Sequence, residues 1–129
     1  MPHFSIEYSA NLEARVDMAA LCDHLRLAAI ETGLFPMAGI RVRAFKAEHV
    51  SIADGNPEHA FLDLSIRLRE GREQQAKEAA TQHIFEALKA LLAPAMAKHS
   101  IALSIEMRDI DASLSPKTGS IRDHLKKDA

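Results

Sequence analysis

A single cysteine, Cys22, in 129 residues leaves no internal disulfide to hold the fold together. Such usage fits a reducing compartment, and stability has to come from a packed core. Cys22 falls in the run Leu21, Cys22, Leu25 and reads as a buried, inert thiol rather than a nucleophile. The five glycines stand singly, so no glycine-rich phosphate loop is present. Seven histidines are scattered without HExxH spacing or a cysteine beside them, which indicates no metal site. With a formal net charge of -2 the chain lacks the basic footprint of a nucleic-acid binder. Apolar runs fall far short of a membrane span, and the amino terminus alternates like a strand where a signal peptide needs a basic start and an apolar stretch. The expected location is cytoplasmic.

What is present is enough for one domain. Hydrophobic residues make up 47% and charged residues 26%, the balance of a soluble globular protein with a sizeable core. The first stretch, MPHFSIEY, puts Phe4, Ile6 and Tyr8 on one side and His3, Ser5 and Glu7 on the other, as a half-buried strand does. Asp17 stands where an N-cap would, and Met18, Leu21, Leu25 and Ala28 recur at helical spacing until Gly33, so a helix is expected over about 17–32. Residues 40–45 alternate again as a second strand. The same order then repeats. Leu62, Leu64, Ile66 and Leu68 mark a third strand, and Ala76, Ala80, Ile84, Leu88, Leu91 and Leu92 mark a long helix that starts near Arg72 and ends or kinks at Pro94. Ile101, Leu103, Ile105 and Met107 form a fourth strand.

The chain therefore reads as two βαβ units, 2–47 and 58–109, followed by a tail, 110–129. Right-handed crossovers make the strands of each unit parallel. The expected fold is a two-layer α/β (α+β) domain, a four-stranded mixed sheet with both helices on one face. The other sheet face has no cover within the chain, which predicts a symmetric homo-oligomer. Ser120 is the expected cap of a short terminal helix that docks on a neighbour or stays loose.

Pro2 is the residue with unusual chemistry. A methionine followed by proline is ordinarily trimmed, and the proline nitrogen is then a secondary amine that titrates near about 7.7 to 8.0, able to act as a base at neutral pH. Pro57 stands in a similar place before the third strand, but its nitrogen is locked in a peptide bond.

The terminal proline, the tandem βαβ units and the junction LREGREQQAKEA together resemble the tautomerase superfamily. The stretches MPHF, TGLFPMAGIRVR and ADG are similar to those of its two-unit branch, the 5-carboxymethyl-2-hydroxymuconate isomerases, from Pro2 to about Asp109. That resemblance implies a cofactor-independent isomerase of aromatic-ring breakdown that converts a carboxylated dienol to its conjugated ketone. It also implies Pro2 as general base and a homotrimer. The substrate's carboxylates call for planar guanidinium forks. Arg72, at the junction before the second helix, and Arg41, on the second strand, are the expected binders. Arg43 shares the strand face of Arg41, and spacing alone does not choose between them, although Arg41 is placed first. Phe35 is a further candidate, as a pocket wall or as a core plug. His3 and His59 have no evident partner and read as surface residues, and Asp54 reads as a turn residue. The same superfamily includes decarboxylases, dehalogenases and a cytokine, so another reaction on unsaturated acids, or a non-enzymatic interaction module, is the alternative.

Overall fold

The computed structural model describes residues 1–126; the last three residues of the predicted tail, 127–129, lie outside the described residues. The strands and helices are β1 (His3–Ser9), α1 (Met18–Thr32), β2 (Arg41–Ala47), β3 (Ala60–Arg69), α2 (Gln74–Lys98) and β4 (Ile101–Ile110). Their order is the expected one. Asp17 caps α1, its carboxylate accepting from the Ala20 N–H at 3.0 Å, and Gly33 ends it in the left-handed region at φ 70°.

The sheet order is β2-β1-β3-β4. β1 runs parallel to β2 and β3 runs parallel to β4, while the two units join through antiparallel β1 and β3, with Ser5 opposite Ser65. Alternation decides which face is buried. Phe4, Ile6, Leu62, Leu64, Ile66 and Leu68 are sealed against Leu21 and Leu25 of α1 and Ile84, Leu88 and Leu92 of α2. Each such side chain contributes roughly 1.5 to 3 kcal/mol relative to exposure. Both helices lie on this one face. The opposite face carries Ser5, Glu7, Arg43, Phe45, Phe61, Asp63, Ser65 and Arg108, with Phe45 56% exposed.

A buried polar node fixes how the second unit enters. Fully buried Ser9 accepts from the Phe61 N–H at 3.0 Å and donates to Asn11 Oδ1 at 2.7 Å. Asn11 in turn donates to the carbonyls of Pro57 and His59, at 3.2 and 2.8 Å. His59 is thus no bare surface residue: its ring is held between Ser100 Oγ at 2.7 Å and Asp54 Oδ1 at 2.8 Å. Asp54 also accepts from the Asn56 N–H, as a turn residue does.

Three expectations need correction. α2 does not stop at Pro94 but runs on to Lys98. Pro94 removes one helix donor, yet Leu92 and Ala95 on either side are both buried, and that packing keeps the last turn in place. The tail also differs from a single capped helix. It forms short 3₁₀ turns at Ala112–Leu114 and Ile121–His124, and the Ser120 hydroxyl makes no capping bond. Cys22 is half-buried rather than buried, and burial raises its thiol pKa, which keeps it protonated. No helix is long and apolar enough to cross a membrane.

Candidate active site

The topology gathers the chemically interesting residues at one end of the sheet. Parallel β1 and β2 begin there, which brings Pro2 beside Arg41, the first residue of β2. Antiparallel β3 and its parallel neighbour β4 both finish there, which brings Arg69, the turn into α2 and the start of the tail to the same place. The turn Glu70-Gly71-Arg72 depends on Gly71, whose φ of 110° a side chain would strain. It presents Arg72 two residues before α2, where its guanidinium donates to the Arg69 carbonyl at 3.0 Å.

Between these elements lies a cavity of about 320 Å³. Pro2, Pro36, Ala38, Gly39 and Leu68 form its apolar wall, and Arg41, Arg69, Arg72, Lys117 and Arg122 supply charge. No Asp or Glu lines it, and among the described residues none of these five cations has a carboxylate partner within salt-bridge distance. Nor do three His, Cys, Asp or Glu side chains come together anywhere among the described residues as a metal site needs.

Met1 also lines this cavity. Its α-amino group is pulled from 8.0 down to about 6, first by burial, then by Lys117, Arg72 and Arg41, all of which disfavour a second positive charge. Pro2 is buried directly behind it. Gly39, in the short turn Met37–Gly39, approaches the proline ring so closely that a Cβ on it would stand 2.8 Å from Pro2 Cδ.

The expected site residues separate into two groups. Pro2, Arg41 and Arg72 line one cavity. Arg43 does not; it donates to His3 Nδ1 at 3.1 Å on the open sheet face. His3, predicted to be a partnerless surface residue, is half-buried there, with its pKa lowered by burial and by Arg67, Arg43 and Arg41, so the ring stays neutral. Phe35 also lies outside the cavity: only 6% exposed, it meets Phe4 edge-on at 5.4 Å and plugs the core between α1 and β1. Sequence reasoning missed Arg69, Lys117 and Arg122. Arg69 was legible as the last residue of a strand ending beside Pro2, whereas nothing local marks the two tail cations.

The chain matches the 5-carboxymethyl-2-hydroxymuconate isomerase family over residues 2–125. The chain belongs to that family. An isomerase from Escherichia coli, 5-carboxymethyl-2-hydroxymuconate Delta-isomerase, is 30% identical over 121 residues, covering 94% of this chain and 96% of its own. A crystal structure of a 5-carboxymethyl-2-hydroxymuconate delta-isomerase superimposes with a TM-score of 0.91 at 30% identity, over 98% of this chain and 94% of that one. The 5-carboxymethyl-2-hydroxymuconate isomerase from Deinococcus radiodurans R1 follows at 0.88 and 28%, over 98% and 95%. This isomerase-family enzyme thus has the two-layer fold of its relatives from end to end.

Proposed function

We propose that the chain, once Met1 is removed, isomerises 5-carboxymethyl-2-hydroxymuconate or a similar carboxylated dienol to its conjugated ketone, with Pro2 as the general base. One observation carries this reading: the terminal segment sits among cations that have no carboxylate partner among the described residues, in a cavity that no described Asp or Glu lines. In an amine held there, as in that of Met1, burial and the neighbouring cations disfavour the protonated form, which suits a group that must take a proton. The carboxylates of the substrate complement the guanidinium groups of Arg41 and Arg72.

The chemistry is a relocation of one proton. Pro2 nitrogen takes the proton from the enol hydroxyl; the oxygen becomes a carbonyl as the double bonds shift, and the same proton is delivered to a carbon further along the conjugated chain. Charge builds on the oxygen during transfer, and the neighbouring guanidinium groups stabilise it. No electrons are gained or lost, so the reaction calls for no cofactor. Arg72 stands just ahead of the amino end of α2, whose dipole further favours an anion at that point. The uncovered sheet face favours assembly, and with the family resemblance supports a homotrimer. We place the enzyme in the cytoplasm, in keeping with its lone thiol.

The test compares the trimmed chain with one carrying extra residues before Pro2. Ketonisation of the dienol, followed by loss of its ultraviolet absorbance, is expected to fall by about a hundredfold or more when the nitrogen is kept in a peptide bond. Equal rates would remove Pro2 from the mechanism.

A further inference from the structure

Two guanidinium groups suffice for two carboxylates, yet the cavity holds five cations. The surplus comes largely from the tail. β4 ends beside β3 with Ile110 opposite Arg69, so the chain leaves the sheet at the cavity end and doubles back across it. Ser115, Pro116 and Thr118 line a cleft that adjoins the cavity, and Gly119, Ile121 and Arg122 line the cavity itself. Lys117 faces both, and its ammonium comes close enough to the Met1 amine to depress its protonation. Among the described residues no Asp or Glu lines the adjoining cleft, which shares Arg41 and Arg69 with the cavity. Like charges brought together without counter-charge repel one another, and a bound anion relieves that repulsion.

Resting on the isomerase reading, we propose that tail segment 115–122 forms a third carboxylate subsite of the cavity, with Lys117 as its main cation and Arg122 beside it. The subsite makes the enzyme select tricarboxylate over dicarboxylate guests. Arg41 and Arg72 hold the carboxylates common to both classes, and the tail holds the additional one. Lysine suits this role because a mobile ammonium on a flexible stem accepts a carboxylate whose position varies, whereas the strand-borne arginines fix the reacting part.

The trimmed enzyme, Lys117→Met and Lys117→Arg are compared on two dienols, 5-carboxymethyl-2-hydroxymuconate and the dicarboxylate 2-hydroxymuconate. At a pH above the acid limb, where the base is unprotonated in every variant, Lys117→Met is expected to lower kcat/KM for the tricarboxylate about tenfold, mostly through KM, and to lower the tricarboxylate-to-dicarboxylate ratio of kcat/KM about fivefold or more. Lys117→Arg should restore most of the loss. Equal losses on both substrates, or none on either, would overturn the subsite. Binding is measured in parallel by calorimetry with tricarballylate and glutarate, which undergo no reaction. If neither dienol turns over but the preference for tricarballylate vanishes in Lys117→Met, the isomerase reading fails and the subsite stands. If turnover holds and Lys117→Met leaves that preference intact, the subsite fails alone.

Discussion

At the scale of single residues, the proposed function depends on how strongly a few fixed positive charges act on one amine. Cations beside an amine destabilise its protonated form, so deleting one lets the pKa rise toward its ordinary value. Arg72→Ala should therefore move the acid limb of the kcat/KM profile to higher pH and lower kcat/KM about tenfold or more through weaker substrate binding. Below the limb the base is protonated and idle, so the variant loses most at mildly acidic pH. A variant with reduced thermal stability but an unmoved pH profile would make Arg72 a structural residue.

At the scale of elements, the turn Met37–Gly39 would position the proposed base, Pro2. Nothing restrains a small ring at a chain terminus except packing, and Gly39 lies against it with no room for a methyl group. Gly39→Ala is expected to displace the Pro2 ring and to cost about tenfold or more in kcat, while the melting temperature changes by only a few degrees. An unchanged kcat would mean that the ring's seat does not matter to proton transfer. Elements were also where the sequence was most readable. Period-two alternation in Phe4, Ile6, Tyr8 and in Leu62, Leu64, Ile66, Leu68 reports directly which sheet face is buried, because one face meets helices and the other does not. The continuation of α2 through Pro94 was not readable, since it depends on burial of Ala95, a tertiary contact. The role of Phe35 needed the same information: pocket wall and core plug look alike in sequence, and only the edge-on contact with Phe4 separates them. For the tail, polar residues without periodicity disclose no face at all, so its return over the cavity came from β4 ending beside Arg69.

At the scale of the whole molecule, one sheet surface remains open. Phe45 is 56% exposed there, and half-buried Phe61 sits further along the same face among Ser, Asp and Arg side chains. Some of that polarity is already satisfied internally, with Ser104 donating to Asp63 at 2.6 Å and Arg108 donating to Ser65 at 2.8 Å. Such a surface can be covered without stranding many charges. If the proposed trimer covers it, sedimentation at micromolar concentration should read the mass of three 14.2 kDa chains, and Phe45→Glu should shift the population toward single chains. A wild-type protein sedimenting as a single chain would contradict the assembly.

Met1 reaches into the cavity until its terminal methyl lies 3.9 Å from where a Cβ on Gly119 would stand. Translation makes Met1 first and Gly119 almost last. An aminopeptidase at the ribosome meets a bare end, whereas one that arrives after release finds Met1 already set against the tail. If removal of Met1 frees the base as proposed, maturation is a matter of timing, and overproduction that outruns the peptidase should leave a well-folded, inactive fraction that keeps its first residue.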